Sequence, residues 1–172
     1  MELISSADLR GKIVIDVCSG TGILGLYAGK ILNASKIILI DIDPLAVMNS
    51  YLNAVGWSMV DKVAVLNCDL LSCIRDRYAD VIIANPPYLP ANDEVQFSDI
   101  ESGPKGSEIA VEVVKQAQRV LKENGTLYMV FSSLSNPNEI YSALSRYGFV
   151  LAREMSRHYF FEDIIAIEAV LT

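Results

Sequence analysis

The chain is almost without histidine: His158 stands alone among 172 residues. A histidine-based metal centre or proton relay has little to be built from. Cysteine is scarce and scattered. Cys18, Cys68 and Cys73 form an odd set with neither paired Cys-x-x-Cys spacing nor the look of a disulfide framework. A reduced, cytoplasmic protein without a metal site is the expectation. Positive charge is in deficit, with fourteen Lys and Arg against twenty-one Asp and Glu, a formal net charge of −7. Proteins that grip nucleic acid by their own surface show a basic footprint, so nucleic acid ranks low among partners. No apolar run reaches the length of about eighteen residues that a membrane-spanning helix needs. The start, Met1-Glu2-Leu3-Ile4-Ser5-Ser6, lacks the basic and apolar regions of a secretory signal. Glycine (ten) and proline (six) are too few for collagen-like or low-complexity sequence.

What is present is a core. Hydrophobic residues make up 52% and charged residues 20%, and mean hydropathy is +0.33. That excludes a disordered chain. The length fits one domain, residues 1–172. Short β-rich runs alternate with helical patterns, the signature of βαβ units and a parallel sheet. Strands are expected at Lys12–Val17, Lys36–Ile40, Val63–Leu66, Asp80–Ala84 and Thr126–Phe131. A helix from about Gly22 to Leu32 follows the first. Asp43-Pro44 reads as N-cap plus first-turn proline, and Leu45, Met48, Leu52 and Val55 then repeat at helical spacing. Ile109, Val113, Ala117 and Val120 mark a helix over Ser107–Lys122, which Asn124-Gly125 closes with a left-handed cap. Asn136-Pro137 opens a last helix, closed by Gly148. Phe149–Glu154 and Ile164–Leu171 have no helical run between them and should pair as an antiparallel hairpin. Leu89–Gly106 is long, polar and aperiodic, and such a loop is expected to be functional.

Two motifs carry chemistry. The first is Asp16-Val17-Cys18-Ser19-Gly20-Thr21-Gly22, between a strand and a helix. Its glycines permit a tight turn and a close approach to ligand, with helix amides facing it. Gly20-x-Gly22-x-x-Gly25 matches the dinucleotide fingerprint, and Asp41, 21 residues after Gly20, sits where a ribose-binding acid belongs. Two further acids separate the ligands. Asp16, at the end of the first strand, would repel a pyrophosphate but suits a cationic amino acid moiety. Asp69, after the third strand, suits an adenine amino group. Three acids, one after each of the first three strands, fit a positively charged adenosyl ligand better than an anionic dinucleotide. The second motif is Asn85-Pro86-Pro87-Tyr88 after the fourth strand. Its prolines fix the backbone and remove two donors. The Asn85 side-chain oxygen and the Pro86 carbonyl are then free to hold a planar NH₂ group, with Tyr88 as a stacking face.

These residues resemble the Rossmann-like S-adenosylmethionine-dependent methyltransferases that modify planar nitrogens. The likeness runs from about Lys12 to Thr172. It implies an α/β fold: a seven-stranded, mostly parallel sheet with helices on both faces and a C-terminal antiparallel hairpin. The cofactor would be S-adenosyl-L-methionine, with no metal. Asn85-Pro86-Pro87-Tyr88-Leu89-Pro90, followed by Gly103-Pro104-Lys105-Gly106-Ser107-Glu108, resembles the release-factor glutamine methyltransferases. Phe160-Phe161-Glu162 resembles their archaeal and eukaryotic branch. Carried over, Asp16 lies near the methionine amino group, Asp41 binds ribose and Asp69 meets adenine. Cys18, Gly20, Gly22 and Asn85 line the cofactor. Asn85 with Pro86 grips the substrate amide, with Pro87 and Tyr88 completing the catalytic turn. The sequence departs from the family at Cys18, commonly glycine there, and in the short lead of eleven residues before Lys12. The resemblance implies a glutamine of a translation release factor as acceptor. It also implies a small zinc-binding activator protein at the Val63–Leu66 edge strand, which is apolar and without protective charge. An exocyclic adenine amine in RNA or DNA presents the same NH₂ group and is the alternative acceptor. A non-catalytic nucleotide-binding module is the alternative of another class.

Overall fold

The computed structural model describes residues 2–88 and 106–172. Seven strands form one sheet: β1 (Ile13–Val17), β2 (Lys36–Asp41), β3 (Val63–Asn67), β4 (Ala79–Ala84), β5 (Leu121–Ser132), β6 (Phe149–Tyr159) and β7 (Glu162–Leu171). Their order is β3-β2-β1-β4-β5-β7-β6. The first five are parallel, while β7 runs antiparallel to both β5 and β6. Among the described residues four α-helices accompany them: α1 (Ile23–Lys30), α2 (Pro44–Gly56), α3 (Glu108–Val120) and α4 (Pro137–Arg146). This is the fold the sequence led us to expect, with β3 at one edge and β6 at the other. No helix among the described residues is long and apolar enough to cross a membrane. Of the Leu89–Gly106 loop read from the sequence, all but Gly106 lies outside the described residues.

Strand alternation divides the core in two. Ile15 and Val17 of β1 face a cluster built with Val113, Val114 and Ala117 of α3 and Ile140 and Leu144 of α4. Val14 faces the opposite cluster, with Leu26 and Ala28 of α1. The same alternation puts Asp16 on the α1 side of the sheet. Helix α1 lies close against β1 and β2 because Gly25 lacks a side chain. A Cβ there would come within 2.4 Å of Leu39 Cδ2 and 3.0 Å of Asp16 Cβ.

Three local expectations need correction. Helix α3 ends at Val120, and the chain enters β5 at once. Asn124, at φ +60°, is the left-handed residue of an irregularity inside that strand pair rather than a helix cap. Helix α2 forms where its apolar spacing predicts, but the stripe faces solvent. Leu45, Met48, Leu52 and Val55 are all exposed, while the helix buries Ser50 and Ala54. Finally, Cys68 and Cys73 are joined by a disulfide, with Cα atoms 6.3 Å apart, and Cys18 is the free cysteine. Linear spacing hid this pair because the chain turns back between them, with Ser72 N–H donating to the Asp69 carbonyl (3.1 Å).

Gly25→Ala forces a methyl group into this helix–sheet contact, an overpacking that costs about 1–3 kcal/mol. Gly56→Ala, with nothing within 4 Å of the added carbon, should leave stability unchanged or raise it by up to about 1 kcal/mol. Urea midpoints measure both. Equal midpoints for the two variants would contradict the packing argument.

Candidate active site

The C-terminal ends of the parallel strands share one edge of the sheet. Between β1 and β4 the order of connection reverses, and such switch points open a crevice for ligands. A cavity of about 590 Å³ lies there, lined by residues from the ends of β1, β2 and β4 and from the turn after β3. That volume falls within the roughly 300–1,000 Å³ of small-molecule sites.

The floor is the turn after β1. Cys18, Gly20 and Gly22 all take left-handed φ, +56°, +54° and +75°. Gly22 is the N-cap of α1, and a Cβ there would also meet Leu39 Cδ1 at 2.7 Å. The left-handed backbone at Cys18 explains why a glycine suits that position. Burial pushes the Cys18 thiol up to about 12, with Asp41 adding to the shift, so it is no nucleophile.

The turn is pinned by three side chains, from β2 and α2. Asp41 Oδ2, at the end of β2, accepts from Gly20 N–H (2.8 Å), and its Oδ1 accepts from Asp43 N–H (3.1 Å). Ser50 Oγ of α2 donates to the Gly20 carbonyl (2.8 Å), and Asn53 Nδ2 donates to the Thr21 carbonyl (2.8 Å). Sequence reasoning missed Ser50 and Asn53. No sequence signal marks them, because the periodicity of α2 does not say which of its faces meets the turn.

Asp69 lines the cavity from the turn after β3, with Cys68 and Leu70 beside it. That turn is held by α3: Gln116 Oε1 accepts from Leu71 N–H (2.9 Å), and Arg119 donates to the Leu71 and Ile74 carbonyls (3.0 and 2.7 Å). Ile42, Asp43 and Ile109 also line the cavity and were not read from the sequence. Ile42 directly follows the strand-end acid, which is the signal that could have found it.

Asp16 sits behind the turn rather than on the cavity wall. It is buried on the α1 side, its Oδ2 accepts from Gly25 N–H (2.8 Å), and it is not among the cavity-lining residues. Burial pushes its carboxyl up to about 7, against the pull of the Gly25 bond, with the negative charge of Asp41 adding to the rise. Its visible work is to fix the first turn of α1.

After β4, Asn85 is exposed and lines the cavity, as does Pro87. Pro86 is buried, and Tyr88 is half-buried against the core. Burial raises the Tyr88 phenol above its ordinary value, and the nearby Glu162 carboxylate raises it further. The structure thus brings Cys18, Gly20, Asp41, Asp69, Asn85 and Pro87 to one cavity. Gly22 forms the cap behind them.

Asp41, Asp43 and Asp69 give the cavity wall three acids, and the described lining holds no Lys, Arg or His. A pyrophosphate would find no counter-charge there. A cationic adenosyl ligand fits, with acids for hydroxyl and amino groups and Ile42, Leu70 and Ile109 as apolar surface for a base.

Fold, switch-point cavity and acid wall together define a class, the Rossmann-like methyltransferases. The methyltransferase small domain model matches residues 2–155. The chain belongs to that family, whose members use S-adenosylmethionine. It is 29% identical over 171 residues to a Methanocaldococcus jannaschii protein named provisionally as a protein N5-glutamine methyltransferase. The match covers 94% of this chain and 83% of that one. It is 28% identical to the release factor glutamine methyltransferase of Clostridium acetobutylicum, over 81% of this chain and 53% of the other. The chain therefore spans about half the length of that bacterial relative. In fold it resembles the E. cuniculi Mtq2–Trm112 complex, described as methylating the termination factor eRF1. The TM-score is 0.72 at 24% identity, covering 95% of this chain and 87% of that one.

The folded-state rise at Asp16 has a testable sign. A carboxyl with a higher pKa folded than unfolded favours folding while protonated. Its contribution is full below the ordinary value of 3.8 and is lost as pH rises through about 7. Asp16→Asn keeps an oxygen for Gly25 N–H and removes the titration. Between about pH 4.5 and about pH 7.5, the urea midpoint should fall less in the variant than in the wild type. Parallel pH profiles would contradict the assignment.

Proposed function

We propose that the chain is an S-adenosylmethionine-dependent N-methyltransferase that methylates the side-chain amide of a glutamine in a translation release factor. The observation that carries this reading is the placement of Asn85 and Pro87 on the wall of an acid-lined cavity whose described lining holds no cation. Relatives named as glutamine methyltransferases support it.

Bound S-adenosylmethionine supplies a methyl group already activated on a sulfonium. The chain's own work is alignment, a large lever when two reactants must meet in line. Asp41 would accept from the ribose hydroxyls while it holds Gly20, and Asp69 would accept from the adenine amino group. Asn85 would accept one N–H of the substrate amide at its side-chain oxygen, and the Pro86 carbonyl would accept the other. Both acceptors orient the amide nitrogen and stabilise the positive charge that grows on it. Half-buried Tyr88 supports the turn and keeps its proton at neutral pH. The alkylated amide nitrogen is acidic enough to shed its proton to water, so no strongly basic group is needed.

Asn85→Ala should lower methyl transfer to a purified release factor at least about a hundredfold, the usual scale for removing one fixed transition-state acceptor. Calorimetry should show S-adenosylmethionine affinity changed by no more than a few fold. Unchanged turnover in this variant would contradict the clamp. Tighter binding of NAD than of S-adenosylmethionine would contradict the cofactor.

The partner reading is a small zinc-binding activator seated on β3. That strand is the sheet edge and carries only apolar residues from Val63 to Leu66. Beside it in sequence, α2 turns Leu45, Met48, Tyr51, Leu52 and Val55 to solvent, and Val60 follows exposed. An edge strand next to exposed apolar side chains is a template for another protein. Leu52→Glu with Val55→Glu should weaken binding of a purified activator at least tenfold while S-adenosylmethionine affinity holds. Full activity of the wild-type chain alone, or unimpaired binding by the variant, would overturn this assignment.

A further inference from the structure

The turn between β6 and β7 carries two exposed aromatics that neither the turn nor the core explains. Phe160 is 94% exposed and Phe161 80%. Phe160 also takes a left-handed φ of +52°, where glycine or asparagine would sit more comfortably. Such a residue is costly for both solubility and backbone, so its side chain has work elsewhere.

Topology says where. Strand β7 is antiparallel to β5, so the β6–β7 turn stands on the same edge of the sheet as the C-terminal ends of the parallel strands. Only β5 lies between β4, which leads into Asn85–Tyr88, and β7, which leads out of the tip. Two strand spacings are roughly 10 Å across the sheet, and the register (Ala84 opposite Met129, Met129 opposite Ile167) sets the tip further out, level with the far end of the Asn85–Tyr88 turn. The link is also polar. Buried Ser132, at the end of β5, donates its hydroxyl to Glu162. The Glu162 carboxylate is in turn close enough to raise the Tyr88 phenol. Asp163 N–H donates to Ser133 Oγ (2.9 Å), and Ser133 N–H donates to the Asp163 carbonyl (2.8 Å). The tip is therefore fixed to β5 beside the clamp.

We infer that the hairpin tip, Phe160 and Phe161 with Glu162 at its inner border, is the docking edge for the polypeptide that carries the acceptor amide. Apolar side chains flanking that amide rest on the two rings. This deepens the amide-methylating reading above and rests on it. A polypeptide is favoured over a nucleic acid by charge. Glu162 and Asp163 stand at the tip, and among the described residues of the hairpin the Arg157 guanidinium pairs with Glu2 while His158 Nδ1 lies 2.9 Å from Asp163. A phosphate backbone would meet acids and spent bases there.

The test is the double variant Phe160→Ser, Phe161→Ser in the full chain, together with any partner that copurifies. Both side chains are exposed, so the fold should survive, and circular dichroism with the urea midpoint checks it. S-Adenosylmethionine affinity by calorimetry should stay within twofold. With purified release factor, kcat/KM should fall at least tenfold, most of it through KM. An unchanged kcat/KM would overturn this inference and leave the amide reading intact. An equal loss of cofactor affinity would also overturn it, because the tip would then be acting on the cavity rather than on substrate. Wild-type protein that methylates RNA but no polypeptide would overturn the amide reading and this inference together.

Discussion

The bond from Gly20 N–H to the Asp41 carboxylate holds the site together. It ties the turn after β1 to the end of β2. Those two strands are already in register, Val17 opposite Ile40, so the bond fixes one side of the crevice. The left-handed residues of the turn would otherwise be free to swing. Ser50 and Asn53 hold its carbonyls from α2, and Ser19 N–H donates to the Ile40 carbonyl (3.0 Å). Each bond is worth about 1 kcal/mol in net stability. Their joint effect is to present a preformed floor, which spares a ligand the cost of ordering it.

That geometry also decides the electrostatics. Asp41 lines the cavity while both its oxygens are engaged by backbone amides, and Asp69 is carried into the wall by a turn that Arg119 and Gln116 fasten. Asp41 has both oxygens turned to backbone amides, and the described lining offers neither acid a cation. The cavity keeps its negative field and favours a cationic ligand over an anionic one. Asp16 shows the other side of the same rule. One step of strand alternation separates it from Val17, and that step turns it beneath α1, where it serves packing.

Most of the fold was legible because its signals are local. Glycine spacing, strand-end acids and proline-led helix starts are short-range patterns, and each named its element. What was not legible depends on contacts between distant segments. The apolar spacing of α2 marks a helix truly, but periodicity does not say which face is covered. Here Ser50 and Ala54 took the inner side, and exposed Asn53 reaches the Thr21 carbonyl. The Cys68–Cys73 pair depends on a turn that spacing rules do not encode. Phe160-Phe161 was legible as a family likeness, but only the antiparallel placement of β7 reveals which edge of the sheet it serves. The turn Asn85–Tyr88 was recognised by residue type. That Asn85 and Pro87 line the cavity while Pro86 is buried could be learned only from the structure.

The most direct measurement is transfer of a labelled methyl group from S-adenosylmethionine, with purified release factor and total RNA offered in parallel and the product mapped by tandem mass spectrometry. The account predicts label on the release factor, confined to the side-chain nitrogen of one glutamine and lost when that glutamine is replaced. Label on an adenine amino group, with none on protein, would contradict it.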